Sequence, residues 1–190
     1  TKQQLNVVFN RMSRPVTLAL ELDDTPLSTE LRGFIDAMVA LSDGKLKSVV
    51  VDGEYEKDDT GRAVFDVEHV LPAARPCVRM VVDGKPTGLA FHGVPSGHEF
   101  NSFVLGLYNA AGPGQPLGDD LIERAKSIAS PLNIMILVSL TCTMCPETVL
   151  ASQRLASLNP AVRAEAYDVS HFPELKDQYG AMSVPCIVIN

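Results

Sequence analysis

Residues 133–158 read NIMILVSLTCTMCPETVLASQRLASL, and they combine a strand, a pair of cysteines and a helix. The apolar run NIMILVSL (133–140) is typical of a buried strand, and the spacing of apolar residues predicts a helix over 149–158. Cys142 and Cys145 stand between the two elements. The pair is therefore expected at the end of a strand and at the beginning of a helix.

This position suits thiol–disulfide chemistry. The first turn of a helix carries free N–H groups and a partial positive charge, both of which stabilise a thiolate. We therefore predict that Cys142 is the exposed nucleophile. Cys145 lies one turn further on, where it can close a disulfide with Cys142 and resolve a mixed disulfide with a partner.

A structural zinc site is the alternative interpretation of the same pair. Zinc needs two further ligands, and they commonly come as a second close pair of cysteines or histidines. The other two cysteines, Cys77 and Cys186, are isolated in the sequence. Redox chemistry is favoured, and a zinc-holding binding module stays open as an alternative.

The sequence around the pair divides into two halves with a similar order of elements. The second half continues with a strand at 161–169, a polar helical turn at 171–180 and a strand at 184–190. The first half contains a short helix at 3–12, strands at 16–22 and 47–52, a helix at 31–41, a hairpin of strands at 77–84 and 89–91, and a helix at 95–108. The charged segment at 53–62 is predicted to be a surface loop.

The two halves also share a local motif, RPCV at 75–78 and VPCI at 184–187, which indicates an internal duplication. We predict an α/β protein with two tandem units. Within a unit, the elements follow the order β-α-β and then β-β-α. The first unit covers 1–111, a Gly- and Pro-rich linker covers 112–118, and the second covers 119–190. The second unit is expected to be incomplete, because no hairpin partner or closing helix follows its last strand.

Composition narrows the class of partner. The chain of 190 residues has a formal net charge of −7, which disfavours nucleic acid as a partner. No apolar run approaches the roughly 18 residues that a membrane span needs. Four cysteines are too few for a disulfide-stapled secreted scaffold, so we expect a reducing, cytoplasmic compartment.

Several longer stretches carry a resemblance to a known family. They are PVTLALELDD (15–24), GVPSGHEFNSFVLGL (93–107), SLTCTMCPETV (139–149), LASLNP (155–160) and VPCIVIN (184–190). Over nearly its whole length the chain resembles the N-terminal double-thioredoxin region of the flavoprotein subunit of bacterial alkyl hydroperoxide reductase, the AhpF family. GHEF (97–100) and Pro146, directly after the second cysteine, are more specific than the cysteine spacing itself.

The resemblance implies two fused thioredoxin-like folds, of which only the second keeps a cysteine pair. It also implies a relay in which electrons from NADH or NADPH pass through FAD in a flavoprotein module of the same chain. They then reach this region, which reduces the disulfide of a two-cysteine, AhpC-like peroxiredoxin. No cofactor is expected within these 190 residues, and the full-length protein is expected to be a homodimer.

The resemblance also implies roles for residues outside the cysteine pair. Pro185 is expected to be a cis-proline that faces Cys142 and forms, with Val184, the wall of a groove for the partner polypeptide. Glu99 is expected to face the cysteine centre from the first unit and to move a proton there. The alternative for Glu99 is a surface or helix-capping carboxylate.

A different function is possible for the same fold. A free-standing oxidoreductase of the glutaredoxin or protein disulfide isomerase type would use the same residues without a flavoprotein module. The sequence of this region alone leaves that alternative open.

Overall fold

The computed structural model describes residues 2–51, 71 and 74–190. The surface loop predicted at 53–62 lies outside the described residues. The helices are α1 (Lys2–Arg11), α2 (Pro26–Leu41), α3 (Glu99–Ala111), α4 (Asp119–Lys126), α5 (Cys145–Leu158) and α6 (Glu174–Gln178). The strands are β1 (Val16–Glu21), β2 (Leu46–Val50), β3 (Cys77–Val82), β4 (Lys85–His92), β5 (Leu132–Val138), β6 (Val162–Asp168) and β7 (Cys186–Ile189).

The strands form one sheet in the order β2-β1-β3-β4-β6-β5-β7. In the first half β1 has a parallel neighbour, β2, and an antiparallel neighbour, β3. In the second half β5 has the same relation to β6 and β7. In each half a cis X-Pro peptide bond precedes the antiparallel strand, Arg75–Pro76 before β3 and Val184–Pro185 before β7. This repeat confirms the predicted α/β class with two tandem units.

The two units meet through parallel pairing of β4 with β6, in which Leu89 to His92 stand opposite Ala164 to Tyr167. The sheet is therefore continuous from the first unit into the second. The division at 112–118 stays a prediction, and it falls between the end of α3 and the beginning of α4.

Two helices begin at residues other than those predicted because their first turns are polar and hide the apolar periodicity. Helix α2 begins at Pro26, where Thr25 is the N-cap and its side chain accepts a hydrogen bond from the Ser28 amide. Helix α5 begins at Cys145 itself, with Pro146 in its first turn. Cys145 is therefore part of the helix and Cys142 lies in the turn before it.

The face of the sheet that carries the helices is mostly apolar. Its largest fully buried side chains come from strands and helices of the first unit: Phe9, Leu18, Leu20, Leu31, Ile35, Leu46, Met80, Leu89, Phe91, Phe103 and Leu107. Helix α3 of the first unit packs against α5 of the second on this face. The contact matters for function because α5 begins at the cysteine pair.

The opposite face holds a buried ionic network around Arg79. Its Nε donates to Glu21 at 2.7 Å and its Nη1 donates to Glu165 at 2.6 Å. The link from β3 to β6 crosses β4 at Ala90, whose small side chain lets the two longer ones meet. Arg79 thereby ties the central strands of the two units together.

Glu165 also binds His92, whose Nε2 lies 2.8 Å from Oε2, while the other ring nitrogen lies 2.6 Å from the carbonyl oxygen of Ala74. Both ring nitrogens therefore face acceptors, as an imidazolium requires. Burial by itself would lower the pKa of His92, but the neighbouring Cys77 and Glu165 raise it to about 9. The His92 ring stacks on Tyr167 at 3.9 Å.

We predict that Arg79→Met destabilises the chain by about 3–5 kcal/mol, because two buried carboxylates lose a shared cation. Arg32→Met is the matched control, since its ion pair with Asp36 is exposed and 3.9 Å long. That control should cost less than about 1 kcal/mol. Urea unfolding of both variants measures the difference, and equal losses would contradict the role given to Arg79.

Candidate functional site

The cysteine pair closes a disulfide at the N-terminus of α5. Cys145 is fully buried, whereas Cys142 is partly exposed. The backbone N–H of Cys145 donates to Cys142 Sγ at 3.1 Å, so a free helix amide points at the outer sulfur. A thiolate at Cys142 would be stabilised by this donor and by the helix dipole.

The segment before β7 forms the wall opposite the pair. The Val184–Pro185 peptide bond is cis, and the carbonyl oxygen of Val184 lies 3.8 Å from Cys142 Sγ. Val184 and Pro185 therefore border Cys142. The structure places both residues where the sequence-based interpretation expected a groove, and their role in binding stays a proposal.

An open groove of about 520 Å³ runs from this wall along α5, lined by Met144, Glu147, Thr148, Ala151, Ser152, Pro185 and Ile187. Two exposed methionines adjoin this region in the sequence: Met144 stands between the two cysteines and Met182 precedes Val184 by two residues. Met144 is 62% exposed and Met182 is 97% exposed. Flexible apolar side chains of this kind suit contact with a partner protein.

The first turn of α3 docks on the loop that leads to Cys142. The backbone N–H of His98 donates to the carbonyl oxygen of Leu140 at 3.0 Å. Gly97 has a φ of +56°, and a Cβ there would lie 2.6 Å from the same oxygen. Only glycine fits this approach, which explains why the helix begins at Glu99 and not at Pro95, where the sequence pattern places it.

Glu99 is fully buried at this junction, so the surface alternative is wrong. Its Oε2 accepts a hydrogen bond from Ser102, and its Oε1 has no hydrogen-bond partner among the described residues. Burial raises the pKa of Glu99, the bond from Ser102 lowers it, and nearby Asp168 raises it again, so the net shift is upward. A buried acid with a raised pKa is suited to proton transfer.

Asp168 is a second buried acid here, and the sequence-based interpretation missed it. It is the last residue of β6, stands opposite Val138 of β5, and is fully buried. Its position in the strand puts it on the helix-bearing face with Ala164 and Ala166. The only signal in the sequence was a charged residue at the end of an apolar strand. Strand patterning alone does not distinguish it from a turn-forming aspartate.

The remaining cysteines and histidines lie apart from a metal-binding arrangement. Cys77 and Cys186 are free thiols; Cys77 is buried, whereas Cys186 is half-buried on β7, whose residues are exposed in alternation. His98 is exposed and its side chain makes no cap bond. Within the described ranges no group of three or more His, Cys, Asp or Glu is placed to hold a metal ion. In this part of the chain, Cys142 and Cys145 therefore lack the further ligands that zinc would need.

Comparison with known proteins agrees with this geometry. A family model described as a thioredoxin domain matches residues 132–190. The alkyl hydroperoxide reductase protein AhpF from Pseudomonas aeruginosa is 33% identical over 189 residues, which cover 100% of this chain and 33% of that protein. The chain thus spans about a third of the length of the curated relatives it matches.

Solved structures give the same result over the whole chain. The N-terminal domain of AhpF from Enterococcus faecalis has 38% identity and a TM-score of 0.86, with 100% of this chain and 88% of that chain covered. A protein disulfide oxidoreductase from Aeropyrum pernix has 23% identity and a TM-score of 0.78, and covers 100% and 82%. The second likeness concerns the fold alone. Together they confirm the predicted pair of thioredoxin-like folds.

Each described helix is shorter or more polar than a helix that crosses a lipid bilayer. Among the residues that the structure describes, none of them combines the length and the apolar character that a membrane crossing requires.

We predict that Glu99→Gln changes how stability depends on pH. A carboxyl whose pKa is raised by folding contributes stability below its unfolded pKa of about 4.3, and that contribution is lost as the pH rises through the folded pKa. Glutamine cannot ionise, so the variant should lose less stability on going from about pH 5 to about pH 8, by about 1.4 kcal/mol per unit of pKa shift.

Urea unfolding across this pH range measures the effect. Glu123→Gln on exposed α4 is the control and should follow the unaltered chain. Parallel curves for Glu99→Gln and the unaltered chain would show that folding does not perturb this carboxyl.

Proposed function

The chain belongs to the AhpF family of alkyl hydroperoxide reductase proteins, and on that basis we propose that Cys142 and Cys145 relay electrons to the disulfide of a peroxiredoxin. One observation carries the proposal. The disulfide lies at a helix N-terminus, faces a cis-proline, and has its outer sulfur partly exposed beside an apolar groove. This arrangement lets a protein disulfide approach the sulfur of Cys142 but not that of Cys145.

The reaction begins with the reduced pair. The Cys142 thiolate attacks one sulfur of the partner disulfide, so an intermolecular S–S bond forms, and the other partner sulfur leaves as a thiolate and takes a proton from solvent. The sulfur of Cys145, having given up its proton, then attacks Cys142 Sγ. The intramolecular disulfide forms, the second partner thiolate leaves and is protonated, and two electrons have passed to the partner.

We propose that Glu99 accepts the proton that Cys145 loses in this step. Cys145 is fully buried, so water cannot take the proton directly. Glu99 is the acid that α3 delivers to the loop preceding Cys142, and its Oε1 is free to accept among the described groups. Burial raises the pKa of Glu99, which makes its carboxylate a better acceptor for this proton.

The electrons would come from a flavoprotein module of the same chain in the full-length protein, with FAD bound and NADH or NADPH as the donor. The relatives are about three times as long as this chain, which supports placing both nucleotides outside it. We also propose a homodimer for the full-length protein and a cytoplasmic location. The free thiols of Cys77 and Cys186 are consistent with a reducing compartment.

We expect the pre-reduced chain to reduce the disulfide of a two-cysteine, AhpC-like peroxiredoxin in stoichiometric amounts. Cys142→Ser should abolish the reaction, whereas Cys145→Ser should accumulate a mixed disulfide with the partner, because the resolving thiol is missing. Cys186→Ser is the matched control and should remain active. Gel analysis under non-reducing conditions follows each species. Equal reduction of arbitrary protein disulfides would instead favour an isomerase-type oxidoreductase.

We expect Glu99→Gln to slow the resolving step by about 10²-fold near neutral pH, which is the low end for loss of a general base. The step is followed in one turnover with a nitroaromatic disulfide, whose second released thiolate reports the attack of Cys145 on Cys142. The first release involves only Cys142 and serves as the internal control. An unchanged second phase would remove Glu99 from the mechanism and leave the cysteine roles intact.

A further inference from the structure

We propose that Asp168 is a positioning residue for this reaction, and that Glu99 and Asp168 hold one proton between their two buried carboxyl groups. The inference rests on the proposed role of Glu99 and goes beyond it. The buried acid that serves the cysteine pair is then a pair of carboxyl groups contributed by both units, not a single side chain.

Placement is the first support. Asp168 ends β6 opposite Val138, and the chain that follows Val138 leads directly to Cys142. Glu99 begins α3, which docks on that same stretch through Leu140. Gly93, between β4 and α3, passes close to the second acid, since a Cβ there would lie in van der Waals contact with the Cβ of Asp168, at 3.4 Å. Both carboxyl groups thus belong to one buried junction.

Unsatisfied hydrogen bonding is the second support. Glu99 Oε1 and Asp168 Oδ2 are buried, and neither oxygen has a hydrogen-bond partner among the described residues. Buried carboxylate oxygens are nearly always satisfied, and two neighbouring carboxylates cannot both remain charged without water. One shared proton removes the repulsion between the two charges, because it neutralises one carboxyl group. It also provides a hydrogen bond, because the protonated group can donate to the other carboxylate.

The surroundings favour an acid pair over an ion pair. In the described part of the chain, the polar groups that contact the two acids are Ser102, the backbone N–H of Ser170 and His171. His171 Nε2 lies 3.7 Å from Asp168 Oδ2, and its side chain is 40% exposed. When protonated, this imidazolium attracts the negative charge that remains on the pair.

The proton balance of the resolving step follows. As the sulfur of Cys145 attacks Cys142 Sγ, the proton of Cys145 passes to the carboxylate of the Glu99–Asp168 pair. The S–S bond between Cys142 and Cys145 forms, the bond from Cys142 to the partner sulfur breaks, and the partner sulfur leaves with the electron pair. When the disulfide is reduced again, the same proton returns to Cys145.

The test measures the titration of Glu99 itself. Carbon-detected NMR follows the Glu99 carboxyl in the 190-residue chain with the disulfide formed. Asp168→Asn keeps the size of the side chain and removes its charge, so the Glu99 midpoint should fall by about one pH unit or more. Asp168→Glu keeps an acid and should retain the high midpoint. Asp168→Ser is a second neutral variant that should shift it in the same direction as Asp168→Asn.

The rate of the resolving step gives an independent readout. Its acid limb should move to lower pH in Asp168→Asn by the same amount, when measured with the nitroaromatic disulfide in a Cys186→Ala background. Ser170→Ala is the control, because only the backbone of this exposed residue contacts Asp168, and its profile should superimpose on that of the parent.

The outcomes separate the two proposals. An unchanged Glu99 midpoint in Asp168→Asn and Asp168→Ser, or an equal shift in Ser170→Ala, would overturn the shared proton while leaving Glu99 as a single acid. An acid limb that survives Glu99→Gln would instead overturn the proton role of Glu99. Peroxiredoxin reduction by the cysteine pair would stand in both cases.

Discussion

The parallel pairing of β4 with β6 is the constraint on which the rest of the molecule depends. It places His92 opposite Tyr167, so the chain leaves both strands at the same end of the sheet. The segment after β4 leads to Glu99 and β6 ends at Asp168, while β5, beside β6, leads to Cys142. A shift of this register by one residue would turn Asp168 to the other face of the sheet and separate the acids.

Buried charged groups have different hydrogen-bonding environments on the two faces of the sheet. On one face Arg79 and Glu165 meet several charged partners at hydrogen-bond distance, and the network joins the two units. On the other face Glu99 and Asp168 each keep an oxygen without a partner among the described groups. Satisfied buried charges are typical of structural roles, whereas buried acids with unsatisfied oxygens call for a functional explanation. Burial of charge alone would not have separated the two.

The two units of the duplicated fold contribute different parts to the cysteine site. The second carries the sulfur chemistry, and the turn before α2 in the first contains no cysteine; there Asp23 accepts hydrogen bonds from Thr25 and Ser28. The first unit contributes α3, which buries Glu99 against the loop before Cys142. A unit without a reactive cysteine pair thus places a buried acid against the loop that leads to its neighbour's pair. The helix-to-helix packing of α3 on α5 holds the two contributions together.

Local patterning in the sequence determined much of this protein. The strand, the cysteine spacing and the helix of residues 133–158 predicted the disulfide at a helix N-terminus, and the repeated X-Pro-Cys motif predicted two related units. Helix starts were displaced where first turns are polar, as in α2, or where a glycine turn intervenes, as before α3. The tertiary structure alone decided that Glu99 is buried and that Asp168 joins it. These residues are 69 positions apart in the sequence. Their proximity comes from long-range strand pairing, which periodicity within one element cannot encode.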